Sequence, residues 1–263
     1  MIVFAAIVPH SPLLVPSIGK EHRERMTCTS AALQEIEQAL YTAKPDTICI
    51  IAPHGARYPD AYSVNLSDKY TGNFKAFGDF STTVEAKSDF LIIDHMQRRL
   101  REDSVPFTLT SSEEIDYGFS VPILLLTSHL PAWKLIPITP SMHDGKSHYE
   151  FGTQLKGILH SENHRIAVIA SADLSHKVND QSPGGATPEG ILFDKTVEEA
   201  TRTNNPEALF KLSPEIIEGV GQCGYRPIMT LLGTLNEMNV TAKTLCYEAP
   251  FGVGYLTTRY DFV

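Results

Sequence analysis

The stretches IVFAAIVPH (residues 2–10), TICIIAPH (47–54) and RIAVIASADLSH (165–176) decide the fold. Each is a short apolar run, and each closes on a histidine. Runs this short, apolar at consecutive rather than alternate positions, fit strands buried on both faces of a sheet. KLIPITP (134–140) has the same character. Between the runs lie segments of helical spacing: Leu33, Ile36 and Leu40 within 20–43, then 91–100, 149–159, 191–200, 206–212 and 227–238. This alternation predicts one α/β domain over residues 1–263, a central mixed sheet flanked by helices.

The remaining segments fit around that frame. Lys44-Pro45 ends the first helix. Residues 58–85, rich in Tyr, Phe, Asn, Gly and Ser, read as strand and loop. DYGFSVP (116–122) reads as a loop feeding the buried segment ILLLTS (123–128). VNDQSPGGATPEG (178–190) reads as a Gly/Pro loop long enough to flank a site. The tail LCYEAPFGVGYLTTRY reads as two strands with a Pro/Gly break.

Composition narrows the function. The chain carries 22 Lys and Arg against 31 Asp and Glu, a net charge of -9. Nucleic acid and anionic membrane surfaces both call for clustered cations, so neither is expected as a partner. No apolar run reaches the roughly 18 residues of a membrane span. The apolar start is broken by Pro9, Pro12 and Pro16 and has no basic residue ahead of it, so it reads as a buried strand and not a signal peptide. The four cysteines form no C-x-x-C pair; Cys28, Cys49 and Cys246 read as core, and a reduced, cytoplasmic setting is expected.

In open α/β sheets, ligands sit beyond the carboxyl ends of the parallel strands. His10, His54 and His176 would therefore approach one crevice. Imidazole is both a common transition-metal ligand and a general base suited to neutral pH. Two imidazoles need a third, anionic ligand to make a facial site with open positions. Cys223, in GVGQCGYRPIMTLLG, sits just before a helix, whose N-terminus favours thiolate. Glu248, in YEAPFGVGY, is the competing carboxylate; its structural alternative is a pairing with Arg226 or Arg259. His143 reads as structural or peripheral. His22, His95, His129, His148, His160 and His164 read as solvent-facing.

Six ordered segments, IVPHSPLLVPSIG, IIAPHGARYPD, DYGFSVPILLL, IASADLSH, QCGYRPIMTLLGTL and CYEAPFGVGYL, resemble the LigB-like catalytic subunits of class III extradiol dioxygenases and, equally, the Memo-like proteins of the same superfamily. The resemblance runs over about residues 1–260. It implies a LigB/Memo-like fold and an Fe(II) centre held by two His and one Glu, ring-opening a catechol-type aromatic with O2. It assigns the two His to His10 and His54 and the acid/base to His176. Cys223 falls where the dioxygenases place Glu and Memo-like proteins place Cys. Tyr117 falls where many members have a His beside the substrate.

The resemblance thus implies an Fe(II) oxidoreductase in which His176 moves a phenolic proton and Tyr117 hydrogen-bonds the substrate. The alternative is a Memo-like copper- or iron-binding redox protein without ring cleavage. A thiolate ligand is softer than a carboxylate, so copper or zinc are also candidates. A homo-oligomer, such as a dimer, is expected by the same resemblance.

Overall fold

The structure is a computed structural model that describes residues 1–263. In chain order its elements are β1 (Ile2–Val8), α1 (Pro16–Gly19), α2 (Thr27–Ala43), β2 (Thr47–Ile51), β3 (Tyr62–Asn65), β4 (Lys69–Phe74), β5 (Asp79–Ser88), α3 (Phe90–Glu102), β6 (Phe107–Thr110), β7 (Glu114–Ile115), α4 (Tyr117–Leu126), β8 (Lys134–Thr139), α5 (Gly145–Ser161), β9 (Ile166–Ser171), α6 (Pro188–Arg202), α7 (Glu207–Phe210), α8 (Pro214–Gly219), α9 (Tyr225–Thr234), β10 (Val240–Glu248) and β11 (Tyr255–Phe262).

Eleven strands make one mixed sheet, with the path β10-β11-β1-β9-β2-β8-β5-β4-β7 and β3 and β6 attached beside β8. The four runs singled out by sequence form its parallel centre: β1 pairs with β9, β9 with β2 and β2 with β8. Their side chains alternate between two apolar layers. Ile7, Cys49, Ile51, Val168 and Ala170 face α3, α5, α6 and α9, whereas Ala6, Val8, Ile48, Ile50 and Ile169 face α2 and α4. Helices on both faces explain why these strands carry no polar alternation. At about 25 cal/mol per Å² of apolar surface, each fully buried Ile or Val contributes roughly 1.5–3 kcal/mol.

α5 and α9 approach backbone to backbone. A Cβ on Gly152 would overlap the Thr230 carbonyl, and one on Gly233 would overlap the Tyr149 carbonyl. This contact fixes α9, and with it the turn just before α9 that carries Cys223.

Several boundaries differ from the sequence reading. Residues Lys20–Met26 form a 3₁₀ stretch, so α2 starts at Thr27 rather than near Lys20. DYGFSVP is not a loop: Asp116 caps the N-terminus of α4 by accepting from Gly118 N–H at 2.7 Å, and helix follows through Pro122. α8 was not anticipated; Ser213 caps it and Pro214 opens it. Cys28 is not core. It is exposed in the first turn of α2 and forms a disulfide with the buried Cys246 of β10. No helix is long and apolar enough to cross a membrane.

Candidate metal centre

Parallel pairing carries the histidines to one edge. Val8 pairs with Ser171 across β1 and β9, so the residues two beyond each, His10 and Asp173, emerge side by side. The His10 N–H donates to Asp173 Oδ1 at 2.9 Å. β2 ends on the other flank of β9, and the turn after it brings His54 forward. The two imidazole Nε2 atoms lie 3.2 Å apart, and Cys223 Sγ lies 3.4 Å from His10 Nε2. One donor atom from each of His10, His54 and Cys223 falls within 4.8 Å of the others.

Cys223 is held by the same strand end. Its N–H donates to the Asp173 carbonyl at 3.3 Å, and its thiol faces that carbonyl at 3.6 Å. Gly221, two residues earlier, has φ of 71°, a left-handed conformation suited to glycine.

The tautomer of His10 follows from a hydrogen-bond relay. Ser171 Oγ donates its only proton to the Gly118 carbonyl at 2.6 Å. The same oxygen lies 2.9 Å from His10 Nδ1, so it accepts there, and Nδ1 carries the ring proton. Nε2 therefore presents a lone pair toward His54 and Cys223. The Gly118 carbonyl is open to Ser171 because residue 122, which would normally donate to it in an α-helix, is a proline without an N–H.

The electrostatics point the same way. Burial, reinforced by His176, pushes the proton affinity of His10 down to about 3. Burial and then His10 push His54 down to about 4. Both rings are thus neutral at pH 7, the state that ligates metal. His10 Nε2 lies 3.9 Å from Asp173 Oδ2, but with a neutral ring this is not an ion pair. Burial pushes Asp173 up to about 6, opposed by its bond from His10 N–H and by His176 and His54. Burial and the nearby Asp173 push the Cys223 thiol up, against the expectation that a helix N-terminus would favour thiolate. Burial thus favours the neutral thiol, and a cation in direct contact would make this sulfur anionic.

The donor set fits such a cation. Metal–nitrogen bonds of about 2.1 Å and metal–sulfur bonds of about 2.3 Å place neighbouring ligand atoms roughly 3.0–3.6 Å apart. The 3.2 Å and 3.4 Å separations lie in that range, and the third pair, a His54 ring nitrogen and Cys223 Sγ, lies within 4.8 Å.

His176 approaches the group from the loop after β9. A proton on its ring would disfavour one on His10 or His54, and its own Nε2 is buried with no hydrogen-bond partner. Burial lowers its proton affinity, partly offset by Asp173. Asp194 anchors this loop: it accepts from Ser175 N–H at 2.8 Å and from Tyr247 O–H at 2.7 Å. Tyr117 stacks on His54 with centroids 4.8 Å apart, and Phe77 packs edge-on against Tyr117 at 5.1 Å. A recess of about 250 Å³ adjoins His54, lined by Asn65, Asp116 and Thr139 among others.

Residues 4–258 match the family described as the catalytic LigB subunit of aromatic ring-opening dioxygenase. The chain belongs to the LigB family. Among curated relatives it is 27% identical over 258 residues to protein CA_C1420 of Clostridium acetobutylicum, covering 95% of this chain and 55% of that protein. It is 23% identical over 236 residues to the MEMO1 family protein MJ0403 of Methanocaldococcus jannaschii, covering 87% of this chain and 73% of that protein. A MEMO1 family protein of Methanococcus maripaludis, MmarC5_0191, is 21% identical over 69% of this chain and 57% of its own length. The chain thus spans little more than half the length of the first of these relatives. Among solved structures, the uncharacterized protein JW3007 from Escherichia coli K12 superposes with a TM-score of 0.65 at 15% identity, covering 98% of this chain and 99% of that one. That likeness shows a shared fold.

Other sequence candidates of this LigB chain lie elsewhere. Glu248 is not in the His10 group. It accepts from Thr29 N–H at 2.8 Å, at the N-terminus of α2 beside Cys28 and Cys246. Neither suggested arginine pairs with it: Arg226 pairs with Glu218, and Arg259 with Glu35 and Asp261. His148 is fully buried rather than solvent-facing. It donates from Nδ1 to the Asp144 carbonyl, and burial pushes it down to about 4. His95 and His164 are half-buried, while His22, His129 and His160 are exposed. His143 is half-buried and donates to the Asp60 carbonyl. Sequence reasoning missed Ser171 and Asp173. Their signal was small and acidic residues directly at the carboxyl end of a buried strand.

Proposed function

We propose that this chain is a redox-active metal protein of the Memo-like kind, with His10, His54 and Cys223 as ligands to iron or copper. The observation that carries this reading is the meeting of two neutral imidazole Nε2 atoms and a half-buried thiol at one strand edge. A thiolate among the ligands favours a soft ion over magnesium or calcium. The MEMO1 family relatives support the same reading. When bound, the ion supplies electron transfer and a Lewis-acid template.

The protein's own groups do the rest. Ser171 and the Gly118 carbonyl hold His10 in the ligating tautomer. Tyr117 fixes the plane of His54 by stacking. Asp173 ties the His10 and Cys223 backbones together, through its carboxylate on one side and its carbonyl on the other.

A second reading, extradiol-type ring opening of a catechol with O2 on Fe(II), is supported by the family description and by His176. His176 Nε2 is buried and unpartnered, and in this reading it would accept a phenolic proton and return it. Tyr117 would donate a hydrogen bond to the substrate, and its phenol, pushed up by burial, stays protonated. For either reading we expect a homo-oligomer, measurable by light scattering.

Anaerobic loading with Fe(II) or copper, followed by spectroscopy of wild type and Cys223→Ser, tests the centre. A thiolate-to-metal absorption lost in the variant is expected. Its presence in both proteins sinks the ligand assignment. Oxygen uptake by the iron form with a panel of catechols then separates the two readings.

A further inference from the structure

A second group of sulfur and oxygen donors sits away from the His10 centre. Cys28 Sγ, Cys246 Sγ and a Glu248 carboxylate oxygen lie within 4.8 Å of one another. A strand and a helix bring them together. Cys246 and Glu248 are two apart on β10, so they project from the same face. A register shift between Thr244 and Cys246 in the β10–β11 pairing sets which face that is. Cys28 comes from the first turn of α2, packed across that face.

The polar contacts are built around the same point. Glu248 Oε1 accepts from Thr29 N–H at 2.8 Å, which leaves its other oxygen for a ligand. Thr29 Oγ1 lies 3.9 Å from Cys246 Sγ. Cys28 is exposed, so the cluster opens to solvent on that side, while Cys246 is buried.

In the structure the two sulfurs are bonded, with Cα atoms 5.8 Å apart. A tetrahedral zinc ion with two bonds of about 2.3 Å needs its sulfurs roughly 3.8 Å apart. Cys28 is exposed, so rotation of its side chain is the movement that would open that separation.

We propose that, in the dithiol form, Cys28, Cys246 and Glu248 make a zinc site, and that the disulfide is the metal-free alternative of the same site. The chemistry balances. A small dithiol reductant gives two electrons and two protons to the bridge, the S–S bond breaks, and the reductant leaves as its own disulfide. Zn²⁺ then binds both sulfurs and displaces their two protons to solvent. A water molecule completes the coordination on the open side.

The charge arithmetic favours zinc here. Two thiolates and a carboxylate sum to -3, and zinc leaves -1. That residual charge lies at the N-terminus of a 17-residue helix, whose dipole stabilises an anion. The bridge and the metal are mutually exclusive, so an oxidant that forms the bridge releases the zinc.

The test uses the full chain carrying Cys223→Ser, which silences sulfur ligation at the His10 centre. Reduced with dithiothreitol and freed of reductant anaerobically, it is titrated with zinc against a chromophoric chelator, and with cobalt to read thiolate-to-metal absorption. A cobalt–thiolate band absent from the oxidised protein, and one zinc per chain beyond what the oxidised protein takes up, are expected. Cys28→Ser, at an exposed position that leaves the core intact, should diminish the band to that of one thiolate and weaken zinc by roughly a hundredfold. Glu248→Gln should keep the band and weaken zinc by about tenfold. Zinc binding that is unchanged by Cys28→Ser, a reduced protein that takes up no more zinc than the oxidised one, or a bridge that dithiothreitol leaves intact in the folded chain would each overturn the proposal.

Discussion

Replacing Ser171 by alanine is the sharpest probe of the relay behind His10. The hydroxyl serves two buried partners, accepting from His10 Nδ1–H at 2.9 Å and donating to the Gly118 carbonyl at 2.6 Å. Pro122 offers the carbonyl no substitute donor. Leaving one buried polar group unpaired costs about 1–3 kcal/mol, so losing both partners costs about 2–4 kcal/mol after partial relaxation. Denaturant unfolding should show that loss at constant m-value. The relay also fixes the ring tautomer, and loss of such support typically weakens metal affinity by about 10–100-fold. Chelator competition on protein with the Cys28–Cys246 bridge intact reads this separately. Ile123→Val, a core change costing about 0.5–1.5 kcal/mol, serves as a control that lowers stability without touching the ring. If Ser171→Ala is destabilised yet binds the ion within twofold of wild type, the hydroxyl only supports the fold and the tautomer argument fails.

Cys223→Ala should lower affinity for copper or iron by at least about a hundredfold with little effect on unfolding, read by the same competition; unchanged affinity would remove the thiol from the ligand set. Burial, opposed by its bonds from Ser175 and Tyr247, raises Asp194 from its ordinary value to about 7. The folded state then holds a proton that the unfolded state releases between roughly pH 4 and 7, so this group costs stability as pH rises through that window. Asp194→Asn should therefore gain stability relative to wild type from pH 4 to 7, on the order of 1–4 kcal/mol, and parallel unfolding curves across that range would refute it. Gly152→Ala should cost about 1–3 kcal/mol by forcing α5 off α9, and a melting temperature within a degree or so of wild type would show that the helices can slide apart freely.

The parallel centre was legible because strands covered on both faces leave a strong mark: β1, β2, β8 and β9 are almost wholly apolar. The approach of His10 and His54 follows from strand ends in a parallel sheet. α4 was obscured because Gly118 and Pro122 are poor helix formers, and burial of the whole helix overrides their propensity. The elevated thiol of Cys223 and the burial of His148 depend on what packs around them from distant segments, which local spacing does not encode. The Cys28–Cys246 bridge joins residues 218 apart in sequence, so no spacing rule could have revealed it.

The position of β1 has a consequence for how the protein is made. β1 lies between β9 and β11, both of which follow it by well over a hundred residues. His10 meets Asp173 across 163 residues and Cys223 across 213. A ribosome therefore delivers His10 and His54 long before anything exists to hold them, and loop closure over such spans is slow. A nascent chain would hold its early imidazoles solvated and free to bind stray ions loosely. A metal centre on these residues, as proposed, would load only after translation has passed the turn before α9.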